Sequence, residues 1–307
     1  MIADRRISRD GVALDDEYNK VTVFLCADAR MAVAFTGVAT LSNFDTSTWI
    51  AETLFSVAGK TDSVYKVLED FRHQLVEKFR TLTSPDLRLT VLFCGFVYGE
   101  TAPEPRIYVV SNFESGRHDA STFSIRSVGT PGAKLLEIAG STAAFSNETR
   151  SRLLALLDAK VSDATLVRYA VNHIQNSASD RRSLGTIGKQ CNAAVVRSMV
   201  DTPVTTTYHT AKNASQAYGP NVVIAGGIIS LGSEVMGSSI LAGPDIRKTD
   251  LCWCDSGLTF KRCHFQKYGA VYLEHPSWNR PLVAFLKYIQ EESSPAGRVF
   301  LVQSGYA

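Results

Sequence analysis

The sequence has few of the features that mark membrane, secreted or nucleic-acid-binding proteins. Its longest apolar stretch, residues 222–231, is too short for a membrane span and contains glycines. Charge is nearly balanced, with 32 basic and 30 acidic residues among 307, so a general nucleic-acid binder is not expected. Charged residues begin at Asp4, before an apolar signal segment could form. We therefore expect a cytoplasmic protein whose partner is neither a membrane nor a nucleic acid.

What the sequence does contain is a globular composition with a regular order of elements. Apolar residues make up 45% of the chain, which excludes disorder over most of it. Patterns of β-branched and apolar residues predict strands before residue 38, then over 89–97, 106–110, 123–128, 192–196 and 221–229. Polar caps followed by helical spacing predict helix pairs over 45–79 and over 146–175. This order predicts an α+β protein with a four-layer αββα sandwich rather than a Rossmann alternation.

The second part of the chain differs in composition and predicts a division into units. Residues 1–230 form the predicted sandwich domain, and residues 231–250, rich in Gly and Ser, form a predicted linker. Residues 251–268 hold a cluster of cysteines. Residues 269–307 predict a short helix over 281–292, which has a proline near its first turn, and a last strand over 298–303.

The six cysteines fall into two groups. Three stand alone in apolar surroundings and predict buried thiols rather than a disulfide framework: Cys26, Cys94 and Cys191. The other three lie close together with a histidine, and the set is Cys252, Cys254, Cys263 and His264. Structural zinc sites take four Cys or His ligands in a tetrahedral arrangement, so this set predicts one closed Zn²⁺ site. Unrelated reduced cysteines and a strained Cys252–Cys254 disulfide remain the alternatives.

This cluster also resembles a known module. The order Cys-x-Cys-x-Ser-Gly, followed after three residues by Lys, one further residue and Cys-His, is similar to the SEC-C motif, a small zinc-binding element. Asp255 stands where the motif usually has Gly. The resemblance implies structural zinc, because four protein ligands leave no open position for catalysis. It also implies a possible protein partner that docks on the zinc module.

Residues 1–230 resemble proteasome-type N-terminal-nucleophile (Ntn) hydrolases. The resemblance rests on the order of several short segments: Ala3-Asp4-Arg5-Arg6, Lys20-Val21, Thr36-Gly37, Gly140-Ser141-Thr142, and Asp180-x-x-Ser183-x-Gly185. It implies the four-layer fold, peptide or amide hydrolysis and a homo-oligomer. It further implies that Asp4 and Lys20 are catalytic supports, with Ser141, Asp180 and Ser183 near the α-amine. The residues alone leave open that Lys20 only flanks a strand and that Asp4 pairs with a surface arginine.

The nucleophile of such enzymes is an N-terminal Thr, Ser or Cys whose own α-amine acts as the base. In the family it opens the strand that precedes the Asp4 segment, and the present sequence starts at that segment. We expect the natural start to lie upstream, so that the protein is a hydrolase. The alternative is a catalytically inactive scaffold that docks a partner through the zinc module.

Overall fold

A computed structural model describes most of the first 225 residues and isolated strands after them. The described residues are 1–9, 11–99, 102–114, 117–118, 122–129, 135–141, 145–199, 204–209, 220–225, 228–230, 239–244, 259, 262, 270–273, 282–286 and 299–301. Within them, no helix combines the length and the apolar character needed to cross a bilayer.

The elements follow the order of the predicted sandwich. The strands of the first half are β1 (Ile2–Asp4), β2 (Ile7–Arg9), β3 (Val12–Asp15), β4 (Val21–Cys26), β5 (Ala29–Gly37), β6 (Thr40–Leu41), β7 (Phe44–Asp45), β8 (Leu89–Val97), β9 (Glu104–Ser111), β10 (Phe113–Glu114), β11 (Arg117–His118) and β12 (Ser124–Ser127). The later strands are β13 (Cys191–Val195), β14 (Val204–His209), β15 (Asn221–Ile224), β16 (Ile228–Ser230), β17 (Ser239–Pro244), β18 (Ala270–Leu273), β19 (Leu282–Leu286) and β20 (Val299–Leu301). The helices are α1 (Thr46–Ala58), α2 (Val64–Arg80), α3 (Asn147–Asp158) and α4 (Asp163–Ala178). The α+β class is therefore confirmed.

Two large sheets organise the part of the chain that the structure describes. The larger has the order β12-β9-β8-β5-β4-β15-β16-β20, and the smaller has the order β1-β13-β14-β17-β19-β18. The larger sheet is mixed, because β15 runs parallel to β4 while β4 and β5 are antiparallel. Helices α1 and α2 contact the larger sheet, and α4 contacts β1 and β13 of the smaller one.

Strand β4 shows how the layers stack. All six of its residues are buried, and its five apolar side chains are divided between two hydrophobic clusters. Phe24 packs in the cluster shared with α1 and α2, whereas Val23 and Leu25 pack in the cluster shared with Ala194 of the smaller sheet. A strand buried on both faces has a nearly continuous apolar sequence, and residues 21–26 have this pattern with Thr22 as the one polar member.

The helices begin where their polar caps predict. Asp45 accepts a hydrogen bond from the backbone amide of Thr48 at 2.8 Å, and Ser146 and Ser162 cap α3 and α4 in the same way. The apolar residues at helical spacing in α2 are all buried: Val67, Leu68, Phe71, Leu75 and Phe79. Ser63 makes no capping bond at the start of α2. The Asp28 carboxylate, from the turn between β4 and β5, accepts from the Val64 amide at 2.8 Å instead.

Two predictions for the second part of the chain are wrong in detail. The stretch 281–292 was expected to be a helix, but Leu282–Leu286 form β19, which pairs with β17 on one side and β18 on the other. A short apolar run fits either structure, and here neighbouring strands satisfy its backbone on both sides. The expected linker 231–250 likewise contains β17, which joins the smaller sheet. The division of the chain into units stays a prediction.

Candidate active site at the end of the sheets

An ion pair between Asp4 and Lys20 forms the centre of the candidate site. Asp4 ends β1 and Lys20 immediately precedes β4, so the pair joins the smaller sheet to the larger one. The Lys20 ammonium nitrogen lies 3.3 Å from both carboxylate oxygens of Asp4. The Lys20 side chain is 12% exposed and that of Asp4 is 22% exposed. The sequence-predicted pair is thus brought together in a largely buried setting.

The Asp4 carboxylate is held by two backbone amides as well. Its Oδ1 atom accepts from the amide of Arg6 at 2.9 Å and from the amide of Gly188 at 3.1 Å. A side chain at position 188 would collide with Arg6, because its Cβ would lie 2.7 Å from the Arg6 Cβ. Only glycine therefore allows this close approach. With three donors on one carboxylate, the direction in which Asp4 faces Lys20 is well determined.

The predicted residues Asp180 and Ser183 lie on one short 3-10 turn, Arg181–Ser183. Asp180 caps this turn through the Arg182 amide and pairs with the Arg182 guanidinium, which holds the pKa of Asp180 at about 2. Ser183 is buried, and its hydroxyl donates to the Asp180 carbonyl at 2.8 Å. Both side chains thus bind within their own turn rather than to the ion pair.

The turn is connected to the ion pair indirectly, through Gly185 and Arg6. The Gly185 carbonyl accepts from the Arg6 guanidinium at 3.2 Å, and Arg6 follows Asp4 by two residues. Leu184 has a positive φ of 49° and is exposed. One side of Asp4 is therefore bordered by this turn, Arg6 and Gly188.

Ser141 lies at the same end of the larger sheet as Lys20. It follows Gly140, whose φ is +99° and whose added Cβ would lie 3.0 Å from the Thr36 hydroxyl oxygen. Thr36 lies on β5 two residues after Ala34, and Ala34 pairs with Val21, the first residue of β4. Lys20 immediately precedes Val21. The pairing of β4 with β5 therefore places Ser141 toward the end of the larger sheet where Lys20 lies. In the described part of the chain, no hydrogen bond joins Ser141 to Asp4 or Lys20.

Two nearby residues were not predicted as part of the site. Gly188 carries no motif signal, since only its backbone amide acts. Cys191 is paired with Asp4 in the register between β1 and β13 and is fully buried. Burial, and then the charge of Asp4, raise the pKa of Cys191 to about 12. Its thiol is therefore un-ionised at neutral pH and is not a nucleophile.

The predicted zinc ligands Cys252, Cys254, Cys263 and His264 lie outside the described residues. Between 251 and 268 the structure describes only Thr259 and Arg262, whose backbone atoms are joined by a hydrogen bond of 2.9 Å. Elsewhere in the described chain, no group of three or more His, Cys, Asp or Glu side chains is arranged to hold a metal ion.

Comparison with known protein families gives a match over residues 249–266 to the SEC-C motif. The chain contains a SEC-C motif. The matched residues include all four predicted zinc ligands, so this resemblance is confirmed. Among solved structures, the chain is similar to Anbu (ancestral beta-subunit) from Yersinia bercovieri. That similarity has 14% sequence identity and a TM-score of 0.37, and it covers 67% of this chain and 75% of that chain. Comparison with curated proteins gives no match.

Proposed function

We propose that this protein is a proteasome-like Ntn hydrolase that cleaves a peptide or amide bond and carries a zinc-binding SEC-C module. The observation that carries the proposal is the partly buried Lys20–Asp4 ion pair, whose carboxylate is fixed by two backbone amides. The order of layers supports it too, since a helix pair, two stacked sheets and α4 follow one another as in a four-layer αββα sandwich. Ser141, Asp180 and Ser183 are proposed to lie around the α-amine of the nucleophile.

The chemistry of the pair suits a hydroxyl or thiol nucleophile. A positive ammonium group beside such a group lowers its pKa, because the charge favours the ionised form. Asp4 keeps the Lys20 ammonium in place, and the two amides keep Asp4 in place. An N-terminal α-amine has a pKa of about 8 and can accept the proton at working pH. In this proposal the nucleophile is the side chain of an N-terminal Thr, Ser or Cys.

The test begins with protein expressed from its native locus. Intact mass and N-terminal sequencing would identify its first residue, and an electrophilic peptide vinyl sulfone would then label an N-terminal nucleophile. We expect Lys20→Met to slow labelling and amide hydrolysis about 100-fold, because one electrostatic contact to the reacting group is lost. Lys66→Met is the matched control, since Lys66 pairs with Asp70 on the exposed surface of α2. A native start without a nucleophile, or equal rates in both variants, would overturn the proposal.

The zinc site is proposed on the chemistry of its donors. Three thiolates and one imidazole are the ligands of closed tetrahedral zinc sites, and Cys252, Cys254, Cys263 and His264 supply that set within the matched motif. When bound, Zn²⁺ would supply folding energy to a short segment. We expect about one zinc per chain by elemental analysis. The double change Cys252→Ser and Cys254→Ser should abolish it, while Cys94→Ser should not.

The SEC-C motif also favours a second candidate function, a scaffold that docks a protein partner and has no activity. In that case a pull-down with the native protein should recover a partner that the Cys252→Ser, Cys254→Ser variant loses. The Lys20→Met variant should retain it. Recovery that is unaffected by loss of zinc would count against the scaffold. Light scattering on the same samples tests the proposed homo-oligomer.

A further inference from the structure

A network of polar side chains, part of it buried, surrounds the residues that precede Lys20. The two residues before Lys20 both take part in it. The Tyr18 hydroxyl lies 2.8 Å from Asp45 Oδ2 and accepts from the Ser47 amide at 3.2 Å. Asp45 and Ser47 form the start of α1, so the first turn of this helix is tied to the chain just ahead of Lys20.

Asn221 is the central member of this network. It is the first residue of β15 and is 3% exposed. Its side-chain amide donates toward the Ser47 carbonyl at 3.1 Å and the Ser47 hydroxyl at 3.0 Å. Its Oδ1 atom accepts from the side-chain amide of Asn19 at 3.0 Å. Asn221 therefore joins α1 to the residue directly before Lys20.

Asn19 completes the connection across Lys20. Its Oδ1 atom accepts from the backbone amide of Val21 at 3.2 Å, which closes a short turn with Lys20 in the middle. The opposite end of the Asn19 side chain is the end that Asn221 holds. On the other side, the Tyr18 amide donates to the Arg5 carbonyl at 3.0 Å, next to Asp4. The backbone at Lys20 is thus held from both sheets and from α1.

We infer that Asn221 is a positioning residue, which holds the backbone at Lys20 so that its ammonium group stays on Asp4. A lysine side chain has many rotamers, and a fixed backbone limits where its ammonium group can go. The inference deepens the proposed function and rests on it for its catalytic meaning. The placement of Lys20 itself is measurable without turnover.

The experiment measures how fast formaldehyde and a borohydride reductant methylate Lys20 in the full chain, by peptide mass spectrometry. Asn221→Ala removes the bonds to Asn19 and Ser47. Asn112→Ala is the matched control, because Asn112 is also a buried asparagine, directly follows β9 of the larger sheet, and bonds with the Leu89 amide and the Leu87 carbonyl at 2.8 Å. Both changes should lower stability by similar amounts, but only the first touches the Lys20 segment.

We expect Asn221→Ala to raise the methylation rate of Lys20 roughly fivefold, the factor that corresponds to one lost hydrogen bond. The rate at exposed Lys66 should stay the same, and Asn112→Ala should leave Lys20 unchanged. Should Asn221→Ala fail to fold, Asn19→Ala tests the same connection from its other end. Equal Lys20 rates in the two asparagine variants, or no increase in either, would overturn the inference. If the increase is confined to Asn221→Ala but the protein cleaves no amide, the inference about Asn221 holds. The absence of cleavage then contradicts only the proposed function.

Discussion

Replacement of Asp4 by alanine tests the centre of the site directly. The change removes one acceptor oxygen from the amides of Arg6 and Gly188 and both oxygens from the Lys20 ammonium group. Three donor groups lose their acceptor at a cost of about 1 kcal/mol each, so the free energy of unfolding should fall by about 3 kcal/mol. The residual 22% exposure of the Asp4 side chain lets water replace part of this, so the figure is an upper value.

Asp4→Asn separates the charge from the hydrogen bonds. The Asn side chain keeps an oxygen that can accept from the Arg6 and Gly188 amides, but it carries no charge to pair with Lys20. We expect this variant to lose only about 1 kcal/mol. The stability order should therefore be the parent protein, then Asp4→Asn, then Asp4→Ala.

Urea unfolding followed by circular dichroism measures all three proteins, with equal slopes required for the comparison. Glu77→Ala is the control, since Glu77 pairs with Arg80 on the exposed face of α2 and its loss should cost less than about 0.5 kcal/mol. Equal stabilities of Asp4→Asn and Asp4→Ala would refute the idea that two backbone amides hold the carboxylate. An Asp4→Ala variant as stable as Glu77→Ala would refute the whole arrangement.

Two further changes test contacts away from the site. Burial raises the pKa of the Asp28 carboxyl above its ordinary value. The contribution of this carboxyl to the free energy of unfolding is therefore fully present at low pH, and it is lost as pH rises through the raised pKa. Asp28→Asn keeps an acceptor for the Val64 amide. Between about pH 4 and pH 7 its free energy of unfolding should rise relative to that of the parent protein, and urea titrations at each pH measure this difference. A difference that stays constant or falls would contradict the prediction. Gly95→Ala should cost about 3 kcal/mol or more, because the new Cβ would lie 2.0 Å from the Arg30 carbonyl oxygen. Gly99→Ala, with nothing within 4 Å, should be neutral, and equal midpoints for the two glycine variants would contradict the close approach of β8 to β5.

Local features of the fold could be predicted because their signals are local. Asp45, Ser146 and Ser162 cap helices through bonds to amides three residues ahead, so the cap and its partner appear together in the sequence. The buried face of α2 follows from helical spacing alone. Residues 282–286 were less tractable, since a short apolar run carries no period of its own and the strands on either side decided its structure.

The candidate site shows the same limit. The sequence alone determined which residue types were candidates: Asp4 and Lys20 through the order of short segments, and the zinc ligands through close spacing. Only the tertiary structure decided how Asp4 is held, because its partner Gly188 is 184 residues away and acts through a backbone amide. Asn221 and Ser47, 174 residues apart, likewise meet only because β15 pairs with β4 beside the start of α1. Contacts of this kind depend on strand register and on the packing of layers, and no local pattern of side chains encodes them.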